Sequence, residues 1–252
     1  EDHDRIRCRP EYEDALLEDL DWLGFISDSG RQPLLRQSDR EGVYASALTR
    51  LRRTHHVYAC DCSRKTIGRE RYGGHCRDRH LPEGPGRTLR VQMPPGSERF
   101  TDLRLGAIEQ SPAEQYGDLA IKDRDGQWTY QFAVTVDDMD QGVTLVVRGE
   151  DLLSSTARQI ALARMLGRAV PPTFLHHPLI IAASGEKLSK SAGDTGVRYL
   201  RAAGISAADV IGYEADLLVV AIAAGDTPAV VETVPADSGV GTSRCARADL
   251  IR

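Results

Sequence analysis

Three groups of residues in this 252-residue chain have types and spacings that could do chemistry. The first is Lys187-Leu188-Ser189-Lys190-Ser191, set between an apolar run at 178–183 and a loop at 192–196. Two ammonium groups three residues apart, interleaved with hydroxyls, suit a polyphosphate whose leaving group moves during reaction. A solvated basic loop has the same composition, so the neighbours must decide. The second group follows a β-branched run at 143–147, which delivers Arg148-Gly149-Glu150-Asp151 at its carboxyl end. Open parallel sheets bind ligands at that end. Arg148 can grip a carboxylate with two parallel hydrogen bonds, or it can brace the fold by pairing with Glu150 or another acid. Gly149 would let a ligand approach the backbone. The third group is Cys60, Cys62 and Cys76, within seventeen residues of a five-cysteine chain. Three thiolates are good ligands for a structural zinc ion, which is normally four-coordinate. His75 and His80 are the conventional candidates for the fourth position. Tyr72 would need its phenol deprotonated, which a nearby cation can drive. Cys8 and Cys245 are isolated and read as ordinary thiols.

The elements that must hold these groups are partly legible. Apolar residues at Tyr12, Ala15, Leu16, Leu20 and Leu23 form one stripe of a helix stopped by Gly24. Ser38 and Glu41 have capping-box spacing ahead of a helix at 44–51. A short strand at 57–59 leads into the cysteines. Proline and glycine are dense from 81 to 96, which predicts turns around a strand at 88–93. The run at 143–147, bounded by Gly142 and Gly149, predicts a buried parallel strand. Ser154 or Ser155 then caps a helix that Gly167 ends. Ile180 and Ile181 predict another buried strand, helices follow at 197–203 and from Ser206, and the chain turns loose from about Val231. Tyr130 precedes Phe132-Ala133-Val134 and Asp137-Asp138, and on this pattern alone it is a core residue with a satisfied hydroxyl.

Composition sets outer bounds. Hydrophobic residues make up 41% and charged residues 27%, as in ordinary water-soluble domains. Apolar runs such as 217–224 are too short to cross a bilayer, and no secretory leader is visible, so a cytoplasmic monomer is expected. The net charge of −5 argues against indiscriminate nucleic-acid binding. A strip of Arg50, Arg52, Arg53, Arg64, Lys65, Arg69, Arg71, Arg77 and Arg79 could still contact RNA locally.

Together these motifs resemble the class I aminoacyl-tRNA synthetases of the glutamyl type. The lysine loop is similar to their KMSKS signature. The block from Tyr130-Gln131-Phe132-Ala133 through Asp137-Asp138, Gln141-Gly142 and Arg148-Gly149-Glu150-Asp151-Leu152-Leu153-Ser154-Ser155-Thr156 is similar to their catalytic core. Cys60, Cys62, Tyr72 and Cys76, and Val134 four residues after Tyr130, resemble the family's short paralogues. These paralogues load glutamate onto the queuosine base of tRNA(Asp).

The resemblance implies an α/β, Rossmann-like catalytic domain with a zinc-binding insertion and a small, mainly helical C-terminal segment. The expected boundaries are 1–59 and 126–197 for the two parts of the catalytic domain, 60–125 for the insertion, and 198–252 for the C-terminal segment. It implies that Glu1, Tyr130 and Arg148 bind glutamate, that Lys187, Ser189 and Lys190 bind ATP, and that Lys187 and Lys190 serve catalysis. It implies a zinc ion on Cys60, Cys62, Tyr72 and Cys76, with Tyr72 in place of a histidine, and Mg²⁺ on the phosphates. The expected partners are L-glutamate, ATP and queuosine-bearing tRNA(Asp), with no membrane. No room for an anticodon-binding domain is expected before Arg252. The family's HIGH signature lies upstream of an acidic element similar to Glu1-Asp2-His3-Asp4, so a beginning lacking roughly 40 residues is expected; a βαβ unit needs about 30. Two other readings are a divergent glutamyl-tRNA synthetase that charges a tRNA 3′ end and a non-catalytic RNA-binding paralogue.

Overall fold

The computed structural model describes residues 2, 8–26, 34–67, 71–182, 196–212 and 229–231. Helix α1 (Pro10–Trp22) is followed by a 3₁₀ turn, Gln37–Asp39, and by α2 (Glu41–Thr54). Then come β1 (Val57–Cys60), a short α3 (Arg64–Ile67), β2 (Thr88–Val91), β3 (Glu98–Asp102), β4 (Gly106–Gln110), α4 (Pro112–Gln115) and β5 (Leu119–Lys122). The rest comprises α5 (Tyr130–Asp140), β6 (Leu145–Gly149), α6 (Leu153–Met165), β7 (Thr173–His177), β8 (Ile180–Ala182), α7 (Val197–Ala202) and β9 (Ala229–Val231).

Two sheets share the work. One is antiparallel, in the order β1-β2-β5; the other is mixed, in the order β4-β3-β7-β6. In the mixed sheet β6 and β7 run parallel from Leu145↔Thr173 to Gly149↔His177, and α6 makes the crossover between them. This βαβ unit puts Arg148 and His176 side by side at the carboxyl ends of their strands. A third pairing, β8 with β9, is parallel.

The main core forms where α2, α5 and α6 close over the antiparallel sheet: Tyr44, Leu51, Val91, Ile121, Phe132 and Leu162 are all essentially inaccessible. Fully burying each such side chain contributes roughly 1.5–3 kcal/mol. Trp128 stacks on Phe132 at 5.0 Å, and Tyr44 meets the Phe132 ring edge-on. One carboxylate is buried at the edge of this core. Asp137 accepts from Arg40 Nε at 2.8 Å, from the Tyr44 hydroxyl and from Gln37 Nε2, and these partners offset its desolvation.

Several expectations need correction. The helix at α1 forms, and Gly24 ends it with φ 81°, but its stripe faces outward: Tyr12 and Leu16 are about 60% exposed. The capping box at Ser38 and Glu41 does not form. Ser38 instead bonds Asp2 through both its amide and its hydroxyl, while Glu41 accepts from Trp128 Nε1 at 2.6 Å. Ser154 and Ser155 lie inside α6 rather than capping it. The expected strand at 143–147 is parallel, yet among the described residues it is an edge, with Leu145 and Val147 about half exposed. Within the stretch 60–125, expected to be an insertion, β2 and β5 together with Met93 just after β2 supply Leu89, Val91, Met93, Leu119 and Ile121 to the main core. The surroundings of the cysteines form a cluster of their own, and Phe100 joins Ile160 and Phe174 in a third. Ser206 does cap a helix at 207–212, exchanging hydrogen bonds with Asp209. The tail expected to be loose from about Val231 lies outside the described residues from residue 232 on.

Candidate active site and metal centre

Arg148 is the centre of the first site. Burial pushes its pKa below the ordinary guanidinium value, yet its hydrogen-bond partners are all neutral. Nη1 donates to Gln159 Oε1 at 2.7 Å, Nη2 to the Thr156 hydroxyl at 2.8 Å, and Nε to His176 Nε2 at 3.1 Å. Thr156 and Gln159 are three apart on α6, so one face of that helix supplies both acceptors. Gln159 is itself oriented by Gln131, which also donates to Ser155. The Tyr130 hydroxyl, at the start of α5, adjoins the same guanidinium and favours its charge.

No carboxylate forms an ion pair with Arg148 among the described residues. The brace to Glu150 weighed above is therefore absent. Glu150 is held at 2.6 Å by Arg104, whose side chain is nearly inaccessible and also donates to the His176 carbonyl. Asp138 and Asp151 favour the Arg148 charge only from a distance, so this half-buried cation, with neutral direct acceptors, could receive an anion. Gly149 has a different reason from the one expected: a Cβ there would lie 2.6 Å from Asp151 Oδ1 and 3.3 Å from Leu179 Cδ2, so the protein's own side chains fill that space.

Behind Arg148 stand two residues to which spacing gave no clue. His176 is fully buried; its Nδ1 lies 2.6 Å from Asp102 Oδ2. Asp102 also accepts the amides of Arg104, Leu105 and His176. Burial raises the Asp102 pKa, but these donors together hold it below the ordinary carboxylate value. Burial, with the Arg148 and Arg104 cations, holds His176 below the usual imidazole value despite the Asp102 bond. The pair lies 74 residues apart in sequence, and only the histidine within Phe174-Leu175-His176-His177-Pro178 could have drawn attention.

The second site sits at the carboxyl end of β1. The Sγ atoms of Cys60, Cys62 and Cys76 all lie within 4.8 Å of one another, and such a set could hold a metal ion. No histidine joins that group among the described residues, and His75 and His80 are both exposed. Tyr72 is buried beside it. Its hydroxyl accepts from the Cys76 amide at 3.2 Å and hydrogen-bonds the Cys60 thiol. Burial raises the Cys60 pKa, but bonds from Tyr72, the Cys62 amide and Arg90 hold it below its ordinary value. Burial and the neighbouring thiols push Cys62 up to about 12. The Arg90 guanidinium lies 4.0 Å above the Tyr72 ring, and Arg79 Nη1 lies 3.5 Å from Cys76 Sγ. Two cations thus border three thiols and a phenol, groups that carry negative charge only when they lose their protons to a bound metal ion.

A buried carboxylate fastens this cluster to the core. Asp118 takes both arms of Arg77 at 2.6 and 2.8 Å, the Tyr58 hydroxyl at 2.5 Å and the Met93 amide. The loop carrying Tyr72 is pinned by a bridge to Gly117, which adopts φ 73°; a Cβ there would fall 1.9 Å from the Tyr72 carbonyl oxygen. Only glycine fits that approach.

Three of the nine residues of the basic strip form ion pairs among the described residues. Arg52 pairs with Glu83, Arg77 with Asp118 and Arg79 with Asp61, while Arg50 and Arg53 remain exposed on α2. Glu1, Lys187, Ser189 and Lys190 lie outside the described residues.

The family model for the catalytic domain of class I tRNA synthetases of the E and Q type matches residues 1–210. The chain belongs to this family. It is therefore a ligase of the aminoacyl-tRNA synthetase type. It is 38% identical over 261 residues to a protein named glutamyl-Q tRNA(Asp) synthetase from Nitratidesulfovibrio vulgaris, covering 94% of this chain and 78% of that protein. A protein of the same name from Burkholderia cenocepacia is 44% identical over 210 residues, covering 77% of this chain and 68% of the relative. Among solved structures, a glutamate-tRNA synthetase from Elizabethkingia anophelis matches with a TM-score of 0.63 and 27% identity over 77% of this chain. This chain spans 45% of that longer protein. No helix among the described residues is long and apolar enough to cross a membrane.

Proposed function

We propose that this protein activates L-glutamate with ATP and transfers the glutamyl group to the queuosine base of tRNA(Asp). The observation that carries the reading is Arg148, a half-buried cation at the carboxyl end of a parallel strand whose partners are all neutral. A carboxylate of the substrate supplies the missing charge, and Tyr130 lines the same position. In activation an oxygen of the glutamate α-carboxylate attacks the α-phosphorus of ATP. The bond to the β-phosphate oxygen breaks, and pyrophosphate leaves. The glutamyl group then passes from the adenylate to a hydroxyl of the modified base, with AMP as leaving group. Little covalent work falls to the protein; positioning and charge neutralisation do most of it.

In this reading Glu1 holds the substrate ammonium, and Lys187, Ser189 and Lys190 receive the triphosphate with Mg²⁺. The domain is Rossmann-like. Zinc on Cys60, Cys62, Cys76 and Tyr72 ties the loop at 71–80 to β1; four protein ligands leave no open position, so its contribution is structural. The names of the relatives support the queuosine acceptor.

The test is glutamate-dependent ATP–pyrophosphate exchange on the full-length protein without tRNA, followed by transfer of labelled glutamate to tRNA(Asp) with and without queuosine. Exchange without tRNA and transfer only to the queuosine-bearing form are expected. Transfer to a tRNA 3′ end would establish a charging enzyme instead, and tRNA binding without any exchange a non-catalytic protein.

A further inference from the structure

We propose that Asp102 and His176 form a positioning relay that aims Arg148 at the substrate carboxylate without neutralising its charge. The inference deepens the reading above and rests on it. Four donors fix the Asp102 carboxylate: the Arg104 and Leu105 amides on Oδ1, and the His176 amide and Nδ1 on Oδ2. That arrangement commits the imidazole proton to Nδ1 and leaves Nε2 as an acceptor. Nε2 then receives Arg148 Nε at 3.1 Å, with the Thr156 hydroxyl at 3.2 Å. The ring cannot turn to offer another atom. It is inaccessible to solvent, and it stacks on Phe174 at 5.9 Å with planes 16° apart. A half-turn of the imidazole would also set a C–H against Asp102 and forfeit its shortest bond.

The chemical point lies in the neutral link. A carboxylate placed directly on Arg148 would orient it as well, but would satisfy the charge that the substrate needs. Here the carboxylate sits one imidazole further back. Arg148 is gripped at all three nitrogens by His176, Thr156 and Gln159, and none of these carries a negative charge. Two of its five N–H donors remain beyond these bonds, beside the Tyr130 hydroxyl. Arg148 is thus held in one orientation with no carboxylate of the described residues in direct contact, Asp138 and Asp151 acting on its charge only from a distance. Its outward N–H groups can take a substrate carboxylate directly.

The two amide isosteres of histidine separate this role from packing. His176→Asn keeps a donor near Nδ1 for Asp102 and loses the acceptor for Arg148. His176→Gln places its amide oxygen near Nε2, keeps that acceptor and loses the Asp102 bond. In exchange assays on the full-length protein, His176→Asn is expected to raise the glutamate KM about tenfold or more, leaving the ATP KM within about twofold. His176→Gln is expected to stay within about threefold of the parent for both substrates. Equal shifts in the two variants, or a parallel rise in the ATP KM, would overturn the relay and leave His176 a packing residue. Arg148→Met run alongside separates the two layers of the argument. A raised glutamate KM in Arg148→Met with none in His176→Asn refutes the relay alone; no change in Arg148→Met refutes the substrate reading itself. Should His176→Asn fail to fold, Asp102→Asn takes its place, since it keeps the shape and removes the charge that fixes the tautomer. A raised glutamate KM is then expected, and an unchanged one overturns the relay.

Discussion

Replacing Arg148 by Met should damage substrate binding far more than folding, and the structure says by how much. Met matches much of the aliphatic stem and removes the guanidinium. Truncating one partner of a buried charge pair costs about 2–5 kcal/mol of binding, which is roughly 30-fold to several thousand-fold in affinity for the other partner. Glutamate KM should rise by that factor, with the ATP KM little changed. Folding should respond weakly. No acid is stranded by the substitution, because none pairs with Arg148. Of the three acceptors released, His176 Nε2 keeps the Thr156 hydroxyl, while Gln159 Oε1 loses its donor though its Nε2 still holds Gln131. The loss of these three bonds is opposed by relief of the desolvation that depresses the Arg148 pKa. Urea unfolding should therefore place the variant within about 2 kcal/mol of the parent. A glutamate KM within threefold of the parent, joined to a loss of more than about 4 kcal/mol in stability, would refute the reasoning and make Arg148 a structural brace.

Three further outcomes are expected. Gly117→Ala drives a Cβ against the Tyr72 carbonyl at a positive φ, so it should destabilise by about 2 kcal/mol or more and lower the metal content, as urea unfolding and elemental analysis would show. An unchanged metal content would separate the Gly117 bridge from the cysteine cluster. Cys62→Ser should lose zinc and stability together, and full zinc retention would sink the four-ligand assignment. His176 is held below its unfolded pKa, so the unfolded chain binds more protons below about pH 6.5, and stability should fall as pH drops through that region, before the carboxylates titrate near pH 4. His176→Gln should flatten that part of the profile, and an unaltered slope would mean that the imidazole is not buried neutral.

The sequence revealed strands and helices wherever local chemistry dominates, and it failed where a partner arrives from far away. The β-branched run before Arg148 announced a parallel strand, and it is parallel, although its partner β7 was not among the expected strands. Its burial is not as expected, because a run of valines reports backbone preference and says nothing of which neighbours flank it. Ser38 and Glu41 had the spacing of a cap, but Asp2 and Trp128, 36 and 87 residues away, took their hydrogen-bonding groups. The same competition removed the local ion pair between Arg148 and Glu150: Arg104 claims Glu150, and Arg148 is left to neutral acceptors. Within the arginine strip the same logic takes Arg77, which answers to the buried Asp118.

The three cysteines stood out because they cluster in sequence, and the structure brings their sulfur atoms together. Which further side chain the fold buries beside them was not legible. His75 and His80 are exposed, while the Gly117 bridge carries Tyr72 inward under the Arg90 cation. A phenol is a poor ligand in water. Burial and the Cys60 thiol raise the Tyr72 pKa, so the phenol would ligate only by giving up its proton to a bound cation, and neither its burial nor its neighbours can be read from spacing. Arg148 is the converse case: its direct partners are neutral and Asp138 and Asp151 act on it only from a distance, the arrangement on which the proposal of a carboxylate ligand rests.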